Sequence, residues 1–226
     1  MKKILLATTL ALSVTSAFAA DQTAILKVEG LLTNGACTPL LSDGGTVEYG
    51  TINLATLNAT EVNQIGQKDI NLTINCTSPT KVGFTVVDDK SSTNAGLTVE
   101  NGRFGGGTAQ GTSATFGVGL TTDNVKIGTY AVYIKEDSIV VDSNTVSSIY
   151  HDAEQGGAWQ DNTNGRIASL SDTVYAPATT GTLEPLPFTN ATFPLVTSLA
   201  IQDTSTLAIT DDTPLSGQAT ISLVYL

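Results

Sequence analysis

His151 is the only histidine in the chain, and imidazole is the commonest general base for a serine nucleophile. Ser147, Ser148 and Asp152 lie beside it, but no GxSxG elbow or comparable nucleophile setting accompanies them. His151 therefore reads as a loop residue. The carboxylate pairs Asp88 with Asp89 and Asp211 with Asp212 are adjacent in sequence. On a strand, neighbours point to opposite faces, so neither pair can flank one glycosidic bond, and both read as solvated turn acids. Residues 106–113, GGTAQGTS, have the outline of a phosphate loop with Thr112 where a lysine must reach the phosphates. Gly117-Val118-Gly119 lacks the third glycine and following helix of a dinucleotide site. Residues 161–165, DNTNG, have calcium-loop composition without the spacing or the downstream bidentate glutamate. No catalytic residue, cofactor or metal is expected, and the chain reads as a non-enzyme.

Two other sets of residues carry chemistry. Cys37 and Cys76 are the only cysteines and form no CxxC; in an oxidising compartment the simplest expectation is one structural disulfide. Trp159, the sole tryptophan, lies among Asp161, Asn162, His151, Asp152 and Asn164. An aromatic plate flanked by amide and carboxylate groups suits a glycan, the ring stacking on C–H bonds and the polar groups meeting hydroxyls. The more ordinary role for such a tryptophan is an anchor that ties a long loop to the body of the fold.

The elements that must position these residues are strands. Period-two alternation separated by turn residues recurs along the chain, and no helical period is sustained beyond the first residues. Strands are expected over 24–32, 46–52, 70–76, 81–87, 114–120, 128–135, 138–141, 191–201 and 218–226, which makes an all-β sandwich or barrel. Residues 91–111 and 142–165 are rich in Gly, Asn, Asp and Ser and are expected as surface loops or extra hairpins without a share in the core. Residues 1–19 read as a signal peptide, with Lys2 and Lys3, an apolar run over 4–14 and Ala17-Phe18-Ala19 at the cleavage site. That run is too short to span a bilayer. Residues 20–226 are expected as a single domain, elaborated over about 91–180. The formal charge of -11 argues against a nucleic-acid phosphate backbone as partner.

The ordered set of motifs resembles a known family. GLLTNGAC over 30–37, INLTINC over 70–76 and the alternating ATISLVYL ending with its penultimate Tyr225 resemble subunits of chaperone-usher fimbriae. GACTP over 35–39, GGTVEYG over 44–50 and TFPL over 192–195 are more closely similar to the GltF-like family of fimbrial-subunit-like periplasmic proteins, whose domain is one of unknown function. The resemblance implies an immunoglobulin-like, pilin-type sandwich lacking its last strand. It also implies export to the periplasm or cell surface, and partners in a fimbrial chaperone, an usher and other fimbrial subunits; a host glycan as partner rests on the Trp159 constellation. Cys37 and Cys76 carry over as the family's disulfide. Ala219, Ile221, Leu223 and Tyr225 carry over as the row that faces the chaperone and the groove. If a first strand begins at residue 24, only 20–23 remain as a donor, roughly 13 Å of chain, less than a typical strand. That arithmetic favours a terminal position in a fibre, or a self-complete periplasmic binding or regulatory module that fills its own groove.

Overall fold

The computed structural model describes residues 26–30, 35–152 and 157–226. The expected signal segment lies outside the described residues. Residues 1–33 and 34–226 separate into two units, and in the first of them residues 26–30 carry no regular element. The strand expected over 24–32 is thus not found in its described part, and the first strand of the second unit starts at Cys37.

That second unit is a two-layer, all-β, sandwich-like fold. One layer is centred on two long strands, β2 (Asn63–Thr80) and β10 (Phe188–Ile201), which pair antiparallel over most of their length. β1 (Cys37–Leu41) flanks β2, while β5 (Gly128–Ile134) and β6 (Ile139–Val141) pair with β10. The short β4 (Phe116–Gly117) pairs with β5. The second layer runs through β7 (Asn144–Asp152), β9 (Thr173–Ala178), β3 (Val82–Asp88) and β11 (Ala219–Tyr225), with β8 (Trp159–Asp161) on the outer edge of β7. A hairpin between β6 and β7 carries the chain from one layer to the other. Its loop residues Asp142 and Ser143 have φ of 44° and 72°, the left-handed pair whose twist matches a two-residue hairpin.

Period-two patterning explains the core. Ile70, Leu72 and Ile74 of β2 face Val82, Phe84 and Val86 of β3 in one buried cluster that also takes Phe193 and Leu195 from β10. Phe84 joins the layers, its ring 5.2 Å from Phe193 and 5.6 Å from Tyr175. Cys37 and Cys76 sit opposite each other in the β1/β2 register and form the disulfide. Among the described residues no helix is long and apolar enough to cross a membrane.

Three expectations need correction. The glycine- and serine-rich middle does contribute to the core: Val146 and Ile149 on β7 are buried, and Val99 bridges Ala109 with both buried. Small neighbours let the backbone approach closely there, so few apolar side chains suffice. His151 is not in a loop; it lies on β7 opposite Trp159. Residues 46–52 form no strand, although Val47 and Tyr49 turn inward and Glu48 turns out. The alternation is real, but among the described residues the neighbouring position in the layer holds no strand for this segment to pair with.

Candidate functional site

That empty position is a groove of about 860 Å³. Its floor is apolar, built by Ile70, Val132 and Leu195 at one end and by Val118, Ile127 and Leu199 at the other. One wall is the extended segment 46–52 and the other is the start of β11, with Ala219 and Ile221 facing in. β11 pairs with β3 on one side and, among the described residues, with no strand on the other. Among the described residues, no backbone hydrogen bond or strand pairing joins residues 47–52 to another segment. Both walls therefore present free N–H and C=O groups beside an apolar trough, the arrangement that invites an added strand.

Side-chain anchors hold the walls apart. The Tyr49 hydroxyl lies 2.8 Å from Thr197 Oγ1 on the floor, and burial pushes its pKa up. Tyr130 stacks on Phe116 with ring centroids 5.0 Å apart. A Cβ on Gly217, just before β11, would lie 2.9 Å from Tyr130 Cε1, so glycine there lets the chain enter β11 closely against the ring. The pair Asp211 and Asp212 is exposed, as expected, and stands at the groove. Asp88 is not a solvated turn acid: it is buried, and its carboxylate accepts hydrogen bonds from the N–H of Lys90 and of Gly117. Burial pushes its pKa up.

The structure treats the expected C-terminal row unevenly. Ala219, Ile221 and Leu223 all pack against the core cluster, and the first two line the groove. Tyr225 is half-exposed, and its hydroxyl accepts a hydrogen bond of 2.9 Å from the N–H of Cys37. This bond closes the end of the groove layer against β1, next to the disulfide.

Of the expected glycan constellation, Asp161 and Asn162, with Asp152 and Asn164, line one polar cavity, while Trp159 and His151 are not in its lining. Trp159 packs against Ile149, Ala176 and Ala178 with its ring 5.5 Å from that of His151, which is the anchoring role. Asp161 is exposed. Asn162 is buried, its side-chain amide donating to Ser148 Oγ at 3.1 Å and to the Arg166 carbonyl at 3.3 Å, bonds that fasten the chain beside the cavity.

Ser148 also donates through its N–H and Oγ to the Glu136 carboxylate, at 2.9 and 2.6 Å. Burial pushes the Glu136 pKa up to about 7, against the opposing effect of these bonds, with Asp161 and Asp137 adding to the rise. A folded pKa above the unfolded one contributes stability that is complete below about pH 4.5 and is lost as pH rises through about 7. Titrating thermal melts from pH 5 to pH 8 will show wild type losing about 2 kcal/mol more than Glu136→Gln, after discounting for partial exposure. Equal pH profiles would remove Glu136 as the cause.

A family model for proteins of unknown function, DUF1120, matches residues 26–131. An uncharacterized protein of Escherichia coli K12, YhcF, is 36% identical over 225 residues, covering 93% of both chains. The protein GltF of the same organism is 31% identical over 234 residues, covering 93% of this chain and 92% of its own. The family model spans residues 46–52, and with these two relatives the chain belongs to the DUF1120 family of YhcF- and GltF-like proteins.

Proposed function

We propose that the chain is a fimbrial-type structural subunit, exported to the periplasm and assembled by strand addition, with adhesion as the role of the finished fibre. The groove between β11 and residues 46–52 takes an extended strand from a periplasmic chaperone, and later one from a neighbouring subunit delivered through an usher. The free edge of β11 beside an apolar floor is the observation that carries this reading. A donated strand would supply backbone partners to both walls and alternate apolar side chains to the floor. Glu48, Asp211 and Asp212 at the groove favour a donor with lysine or arginine at its outward positions, because like charges facing across the rim would oppose docking.

Periplasmic co-expression with a fimbrial chaperone tests the reading. Recovery as a one-to-one complex, with the free chain poorly soluble or low-melting, is the expected result. A monodisperse, high-melting monomer that ignores the chaperone would replace it with a self-complete module.

A further inference from the structure

The chain contains two arginines, Arg103 and Arg166, far apart in sequence, and both line one polar cavity of about 220 Å³ together with Tyr150, Asp152, Asp161 and Thr173. We propose that this cavity binds a carboxylate-bearing monosaccharide, with Arg103 and Arg166 holding the carboxylate and Asp161, Tyr150 and Thr173 meeting ring hydroxyls.

Charge is the first argument. Among the described residues the ion pairs are Lys81 with Glu184 and Lys135 with Asp69, so neither guanidinium is neutralised by a carboxylate within salt-bridge distance. Each Nε is buried without a hydrogen-bond partner, which fixes both side chains by packing. Arg166 is further held by a 3.3 Å bond from its guanidinium to the Ser113 carbonyl, by its backbone bridge to Tyr133, and by the Asn164 side chain accepting from its N–H. Arg103 and Arg166 share the cavity with the carboxylates of Asp152 and Asp161, but among the described residues neither guanidinium is in an ion pair, so both forks can take a ligand carboxylate, whose geometry arginine matches better than lysine does.

The remaining lining selects among anions. The carboxylates of Asp152 and Asp161 oppose a doubly charged oxyanion such as phosphate more than a singly charged carboxylate, and with the Tyr150 and Thr173 hydroxyls they can hydrogen-bond sugar hydroxyls. The volume of about 220 Å³ leaves room for more than acetate beside the two arginines. The proposal does not depend on a strand docking in the groove, which lies elsewhere on the fold.

Calorimetric or NMR titration of the mature protein with D-glucuronate, D-galacturonate and N-acetylneuraminate, beside D-glucose and acetate, tests the site. At least one acidic sugar should bind with a dissociation constant below about 10 mM, at least tenfold tighter than glucose or acetate. Arg103→Gln should abolish that preference while leaving the melting temperature within about 2 °C, because the Arg103 side chain makes no hydrogen bond that its loss would break. Arg103→Lys, which keeps charge but not the fork, should weaken binding about tenfold. Binding of none of the three acidic sugars overturns the proposal, as does equal binding of acetate, which would leave an anion site, or an unchanged affinity in Arg103→Gln.

Discussion

Replacing Cys37 and Cys76 together by alanine will lower the stability of the fold by about 4 kcal/mol, the chain-entropy value for a cross-link between residues 39 apart in sequence. For a unit of this size the melting temperature should fall by about 8–16 °C. The loop that the bond closes contains residues 46–52, the groove wall that makes no backbone ladder of its own. Its placement depends on its two ends, β1 and β2, staying in register, and the disulfide sits at that register with the Tyr225 hydroxyl bonded to the same cysteine's N–H. Loss of the bond therefore costs stability and also loosens one wall of the groove. Comparing melts of oxidised wild type, reduced wild type and the double alanine variant checks the value. A loss under about 1 kcal/mol would show that the β1–β2 ladder alone fixes the loop.

How much of this was legible in the sequence depends on what each residue faces. β3, β5, β6, β10 and β11 follow from alternation because one face of each meets the core, where period two is enforced by burial. β7 was hidden because Ser147 and Ser148 break the apolar pattern; the strand is held instead by pairing on both edges, to β8 and to β9. Tertiary pairing outweighed local composition there. The segment 46–52 shows the opposite case: its alternation reads as a strand, and its inward residues are placed accordingly, but pairing needs a neighbour that a single sequence cannot supply. Of the candidate residues, the disulfide follows from the chain's having two cysteines and no CxxC, and the row on β11 from its alternation, with its groove-facing role implied by the family resemblance. The approach of Arg103 to Arg166 leaves no sequence pattern at all, because it arises from the loop before β4 folding onto the segment after β8. Their status as the chain's two arginines was the available signal, and it gains meaning only when both are seen on one cavity.

Ile221→Asp will abolish capture of a donated strand, whereas Ser222→Asp will leave it intact. The two residues are neighbours on β11, paired with Val86 and Thr85 of β3, so they point to opposite faces. Ile221 faces the groove and packs against the core cluster, while Ser222 is exposed. A strand laid along the free edge would seal position 221 from water, and an unpaired carboxylate there costs several kcal/mol. A penalty of about 4 kcal/mol is roughly a thousandfold in affinity, enough to remove a chaperone complex from a pull-down. In the free protein the same aspartate can reach solvent through the open groove, so Ile221→Asp should melt closer to wild type than a fully buried position allows. Ile221→Ala separates the two effects: it removes packing without adding charge, and should weaken capture by about tenfold to a hundredfold. Should all three variants co-purify with the chaperone as wild type does, the inward row of β11 is not the docking edge. Strand addition at this groove would then be lost as an explanation for its shape.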